Sequence, residues 1–224
     1  MGTLVRRKPE YFEQQGKRMA QFFSIHPENP QARLISQAVD ILRRGGLIVY
    51  PTDSAYALGC HIGDKLALDR IRALRQLDKH HNFTLMCRDL SELANYARVD
   101  NTAYRIIKSH TPGPFTFILN ATSEVPRRLQ HPKRKTLGMR VPDNAIALAL
   151  LEELGEPLMS SSLILPGDTL PLTDPYDIRD TLEHQCELVI DGGFCGLEPT
   201  SVIDLTGDEP QVMREGCGDT SDFR

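Results

Sequence analysis

Leu34, Ile35, Ala38, Val39, Ile41 and Leu42 recur at the spacing of one helix face. The pattern predicts a helix opened by Asn29–Pro30 and stopped by Gly45–Gly46. The apolar run Leu47 to Tyr50 reads as a strand that breaks at Pro51, and Thr52, Asp53, Ser54, Tyr56 and Cys60 follow as one loop. Asp64 suits the cap of a helix running to about Leu77, and Asn82 to Cys87 is strand-like. Asp89 with Glu92 has the spacing of a capping box, starting a short helix to about Ala97. A helix over about Thr102 to Ser109 and strands over Phe115 to Asn120 and Thr136 to Val141 come next. Asn144 to Leu154 is a strongly apolar helix ended by Gly155, and Leu158 to Leu163 is a strand. Asp174–Pro175 caps a helix to about His184, and strands over Glu187 to Ile190, Ser201 to Leu205 and Val212 to Arg214 close the chain.

Alternating elements early and consecutive strands late predict an α/β protein built on an open, twisted, mixed sheet flanked by helices. The first 18 residues lack apolar periodicity and read as a flexible tail, which leaves 19–224 as a single domain.

Composition adds exclusions. The longest purely apolar run, Ala145 to Leu151, is far short of the roughly 20 residues of a membrane span, so no membrane partner is expected. The start, MGTLVRRKPEYFEQQGKR, is charged throughout and has no apolar signal core, which predicts a cytoplasmic address. Cys60, Cys87, Cys186, Cys195 and Cys217 form no C-x-x-C pair, and His80–His81 cannot make a helical metal face, so no structural metal is expected. The net charge of −4 hides two basic groups. Arg127, Arg128, Lys133, Arg134, Lys135 and Arg140 lie in an acid-free run, and Arg70, Arg72, Arg75 and Lys79 lie upstream. They form either a solvated face or, if they share one side, a surface for an RNA backbone.

The usual phosphate motifs are missing. There is no G-x-x-x-x-G-K-[ST], DGGFCG at Asp191 to Gly196 is not a dinucleotide fingerprint, and G-x-S-x-G does not occur. Cys60 beside His61 is a poor nucleophile–base pair, because neighbours on a strand point to opposite faces. What recurs instead is a hydroxyl or a lone arginine at strand edges: Thr52, Thr116, Arg140, Ser160, Ser162, Thr200, Ser201 and Arg214. Converging on one crevice, such groups suit a phosphorylated ligand.

With YPTDSAYALGC, TPGPFTFIL, GMRVP, PLMSSSLILPG, TSVIDL and VMREG in that order, the sequence resembles the YrdC/YciO family of threonylcarbamoyl-adenylate synthase-like proteins, from about Met19 to Gly216. NFTLMCRDL and MAQFFSIHPENP resemble its YciO branch. The resemblance implies a YrdC/RibB-like fold with a positively charged concave surface. It also implies ATP with Mg²⁺, L-threonine and bicarbonate as substrates, threonylcarbamoyl-AMP and pyrophosphate as products, and tRNA modification as the purpose. Double-stranded RNA or tRNA is an implied partner, carried by Arg127, Arg128, Lys133, Arg134 and Lys135. Carried over, Thr52 faces the threonine pocket, with Tyr56 as a wall and Thr200 as a threonine-side hydroxyl. Thr116 lies on the nucleotide side, and Arg140 braces the wall. Ser160 and Ser162 contact substrate and adenylate, while Arg75 and Arg214 contact phosphate. No acid–base catalyst is implied, since in-line attack on phosphorus depends on positioning and charge.

Two signatures depart from the family. K-x-R becomes Arg75-Gln76-Leu77, losing one charge at Leu77, and S-x-N becomes Ser162-Leu163-Ile164, losing an amide at Ile164. Met86 also stands where synthases can carry a histidine. A lost charge-assisted bond costs about 1.5–3 kcal/mol and a neutral one less. The pair is therefore expected to slow synthesis by about two to three orders of magnitude. The readings are a weak synthase, an RNA-binding protein without catalysis, and an adenylate pocket that turns over a different carboxylate or carbamoyl substrate.

Overall fold

In the computed structural model, which describes residues 19–77, 81 and 83–223, eleven strands form one mixed sheet. In chain order they are β1 (Gln21–Ser24), β2 (Ile48–Tyr50), β3 (Ala57–His61), β4 (Thr84–Met86), β5 (Ala97–Arg98), β6 (Phe115–Ala121), β7 (Thr136–Arg140), β8 (Leu158–Ser162), β9 (Leu188–Asp191), β10 (Ser201–Asp204) and β11 (Gln211–Arg214). The spatial order is β1-β9-β2-β3-β8-β4-β7-β6-β10-β11, with β5 added on β6. The helices are α1 (Ala32–Arg43), α2 (Lys65–Arg75), α3 (Leu90–Tyr96), α4 (Asn101–Ser109), α5 (Ala145–Leu154) and α6 (Pro175–Leu182). The 1–18 tail, Lys79, His80 and Asn82 lie outside the described residues.

Local chemistry explains most boundaries. Asp64, Asp89, Asp100, Asn144 and Asp174 each accept a backbone N–H of the helix they precede. Glu92 accepts the amide of Arg88, the residue before the cap, so the capping pair spans one more residue than the simple box. Helix α1 starts two residues after Pro30, with Gln31 at its cap. Gly155, at φ +76, ends α5 in the left-handed conformation that glycine tolerates.

The sequence pattern missed three strands. Ala57–Cys60 of β3 is buried on both faces, so it shows no alternation and reads as loop. Strands β1 and β5 are short, and β1 lies at the sheet edge.

The two faces of the sheet are covered unequally. One packs Leu58, Leu85, Phe117, Met139 and Met159 against Leu68 and Ile71 of α2, Leu93 of α3, Ile107 of α4, and Ile178 and Leu182 of α6. On the other face, α1 and α5 bury Ile48, Tyr50, Ala57, Leu158, Leu188 and Ile190. That second cluster involves the β1-β9-β2-β3-β8 end and stops at Met86 of β4. Beyond it the same face turns polar.

Candidate functional site

The polar part of that face is written in the strand alternation. Thr84 of β4 pairs with Ser160 of β8 on one side and Gly138 of β7 on the other, and Gly138 pairs with Ile118 of β6. Val202 of β10 stands opposite Thr116 and Arg214. Side chains two apart on a strand share a face, so small and hydroxylated residues collect here while their neighbours fill the core. Gly138 is required for close approach, because a Cβ there would sit 2.8 Å from Thr84 Oγ1 and 2.9 Å from Thr116 Cγ2.

The result is a cleft of about 370 Å³. Arg75, Thr116, Arg140, Ser160, Ser162, Thr200 and Arg214, all singled out in the sequence, line it together. Ser54, His81, Thr84, Gly138 and Ser161 also line it, and sequence reasoning did not place them in the site. The signal for Thr84 was its strand alternation with Met86, which also lines the cleft.

Thr52 and Tyr56 stand outside the lining. The Thr52 hydroxyl turns inward, donating to Ala55 O at 2.6 Å and accepting the Ser54 amide at 3.2 Å, so it shapes the loop while Ser54 faces the cleft. Tyr56 donates to Gly193 O at 2.6 Å, which ties the 51–56 loop to the turn after β9. Ser201 is fully buried behind the cleft, donating to Gly218 O and accepting the Gly216 amide.

Each arginine enters the cleft already oriented. Arg75, from the end of α2, donates to Ser161 Oγ at 2.6 Å and Ile164 O at 3.0 Å. Arg214 donates to Thr200 O at 2.8 and 3.0 Å and to Thr200 Oγ1 at 3.1 Å. Arg140 donates to Ser54 Oγ at 3.0 Å and forms an ion pair with Asp53, whose side chain is 10% exposed. Burial and the nearby Arg214 lower the pKa of Arg75, and burial with Arg140 lowers that of Arg214. Guanidinium groups held close together in a half-dry cleft are unfavourable alone and favourable with an anion between them. Asp53 Oδ2 and Arg140 Nε are buried with no hydrogen-bond partner. Cys60 is fully buried, and burial pushes its thiol up to about 12, far from a reactive thiolate.

The basic run on the 122–135 connection between β6 and β7 is divided. Arg128 donates to Gly63 O, and Arg134 pairs with Asp204 at 3.6 Å. Arg127, Lys133 and Lys135 are exposed. Upstream, Arg70 pairs with Glu187 at 3.0 Å, and Arg72 donates to Arg128 O while lying over the Phe83 ring. No described helix is long and apolar enough to cross a membrane.

An open mixed sheet with arginines and hydroxyls gathered on its uncovered face defines an α/β protein whose cleft is chemically suited to an acidic ligand. The Sua5/YciO/YrdC family model, described as telomere recombination, matches residues 40–216, and the chain belongs to this family. YciO of Escherichia coli K12 is 63% identical over 205 residues, covering 92% of this chain and 100% of that protein. The crystal structure of E. coli YciO matches at a TM-score of 0.90 with the same coverage. A threonylcarbamoyl-AMP synthase of Chromohalobacter salexigens is 32% identical over 177 residues, 78% of this chain and 94% of that one. The crystal structure of P. abyssi Sua5 complexed with L-threonine matches at a TM-score of 0.80 with 27% identity, covering 87% of this chain and 57% of that chain.

Proposed function

We propose that the cleft binds ATP and L-threonine and supports a slow threonylcarbamoyl-adenylate synthesis. The observation that carries this reading is the convergence of Arg75, Arg140 and Arg214 on a floor of Thr84, Thr116, Ser160 and Thr200. The similarity to a threonylcarbamoyl-AMP synthase and to a threonine-bound Sua5 supports the choice of substrates. In the reaction, threonine and bicarbonate condense to a carbamate with loss of water. A carbamate oxygen then attacks the α-phosphorus, the bond to the bridging oxygen breaks, and pyrophosphate leaves. Arg75 and Arg214 hold the phosphates and stabilise the charge that gathers on the leaving group. Arg140 and Ser54 fix the wall on the 51–56 loop side. Mg²⁺ enters with the triphosphate as part of the substrate. Among the described residues no three His, Cys, Asp or Glu side chains cluster to hold a metal.

Leu77 and Ile164 set the rate. Leu77 packs on the core and Ile164 presents an aliphatic side chain to the cleft, where a cation and an amide would grip the ligand. Titration of ATP with and without L-threonine, followed by pyrophosphate release at high enzyme concentration, tests the reading. Release that requires both threonine and bicarbonate is the expected result. No ATP binding, or release indifferent to threonine, ends it.

A second reading rests on the exposure of Arg127, Lys133 and Lys135 on one connection. In it the chain binds structured RNA without synthesis. Affinity then falls steeply with salt, and replacing these three residues by alanine flattens that dependence. Binding that ignores salt refutes it.

A further inference from the structure

Tyr50 is fully buried beneath α1 and α5, yet its hydroxyl donates to Ser160 Oγ at 2.7 Å. The two residues are not on neighbouring strands, since β3 runs between β2 and β8. The ring reaches Ser160 by passing over Gly59 of β3, the residue paired with Ser160 across the next ladder. A Cβ on Gly59 would lie 2.7 Å from Tyr50 Cε1 and 2.9 Å from Leu158 Cδ2, so only glycine lets the ring cross. Burial keeps the phenol protonated well past its ordinary range, so it remains a donor at any physiological pH.

We infer that Tyr50 is a positioning residue that turns the Ser160 proton into the cleft, making this hydroxyl a hydrogen-bond donor aimed at an anionic oxygen of the ligand. A serine oxygen that accepts from behind cannot send its own proton in the same direction. Ser160 lines the cleft, so its proton turns toward the ligand. Other hydroxyls of the cleft accept from arginines. Arg75 donates to Ser161 Oγ, Arg140 to Ser54 Oγ, and Arg214 to Thr200 Oγ1, which lies 2.9 Å from Thr116 Oγ1. Four cleft hydroxyls thus accept from a built-in donor, three of them from arginines that themselves line the cleft and Ser160 from Tyr50 beneath it. At the point that Ser160 faces, the cleft therefore prefers a ligand oxygen that only accepts, such as that of a phosphate ester or a carboxylate, over a ligand donor. This inference rests on the nucleotide reading above.

Isothermal titration of the whole protein with ATP tests it in four forms: wild type, Tyr50→Phe, Ser160→Ala and the double variant. Tyr50→Phe keeps the ring and weakens ATP binding about fivefold, and Ser160→Ala weakens it about tenfold. The double variant binds no more weakly than Ser160→Ala, because Tyr50 acts only through that hydroxyl. Gly59→Ala, which keeps the tyrosine but pushes its ring and hydroxyl away from Ser160, reproduces the Tyr50→Phe loss and serves if Tyr50→Phe does not fold. Unchanged ATP affinity in a folded Tyr50→Phe or Gly59→Ala protein overturns the inference, as do single losses that multiply in the double variant. Absence of ATP binding in the wild type instead overturns the nucleotide reading and this inference with it.

Discussion

Thr116 Oγ1 lies 2.9 Å from Thr200 Oγ1, although the two threonines are 84 residues apart. Strands β6 and β10 run parallel with Ser201 opposite Phe115, which brings Thr200 and Thr116 to the same strand ends. Arg214 of β11 then clamps Thr200 through its carbonyl and its hydroxyl. This corner of the cleft therefore exists only when three strands are assembled, and it explains why Arg214 is held in place before any ligand arrives.

Removing that clamp has a defined cost. Arg214→Ala or Arg75→Ala should weaken ATP by about 10- to 100-fold, the equivalent of about 1.5–3 kcal/mol for a charge-assisted phosphate bond. Isothermal titration measures it. A loss below about threefold in either variant would take that arginine out of the phosphate subsite.

Asp53 and Arg140 form a buried pair whose side chains are 10% and 6% exposed. Asp53→Ala should destabilise the fold by about 3–5 kcal/mol, because it strands a buried guanidinium. Adding Arg140→Met should restore a large part of that loss. Urea midpoints report both, and a double variant as unstable as Asp53→Ala argues that the loop, not the charge, needs Asp53.

Leu77→Arg with Ile164→Asn restores the two groups by which this chain departs from the synthase pattern. The double variant should release pyrophosphate about 100-fold faster, with each single variant intermediate. Leu77 packs against the core, so Leu77→Arg also lowers the urea midpoint. An unchanged rate in a folded double variant would mean that other positions limit the chemistry.

Gly138→Ala should narrow the floor, since its Cβ would meet Thr84 Oγ1 at 2.8 Å and Phe83 O at 3.3 Å. About 1–3 kcal/mol of stability is lost to overpacking, and Thr84→Ala in the same chain relieves part of it. Thermal unfolding of the two variants checks the pairing.

Alkaline stability follows from the buried thiols. Burial pushes Cys60 and Cys186 up to about 12 and Cys195 up to about 11, against an ordinary value of 9.0. The unfolded chain loses these protons first, so it binds fewer protons than the folded one above about pH 9, and stability falls as pH rises from there. Urea midpoints should hold up to about pH 9 and drop between about pH 9 and about pH 12. Cys60→Ser alters a buried site and is a poor control, whereas the exposed Cys217 should be the first thiol to react with a thiol reagent.

Much of the fold was legible because its rules are local. Aspartate and asparagine caps, the Gly155 stop and the apolar spacing of α1 and α5 are properties of adjacent residues, and the structure places those helices within two or three residues of expectation. Six of the eight residues picked out at strand edges also reach one cleft, because strand-edge position is readable along a chain, and Arg75, carried over from the family resemblance, joins them. What the tertiary structure alone decided is orientation across strands. Thr52 and Ser54 are two apart in one loop, and only the hydrogen bond of Thr52 to Ala55 O sends one inward and the other to the cleft. Arg128 and Arg134 look like free charge in the sequence, but Gly63 O and Asp204, distant in the chain, take them up. The meaning of Gly59 is likewise invisible until β2, β3 and β8 lie side by side and the Tyr50 ring has a gap to cross. A sequence specifies which groups can donate, cap or bury, whereas the partner that each donor faces is fixed by strand order and register, which depend on the whole chain at once.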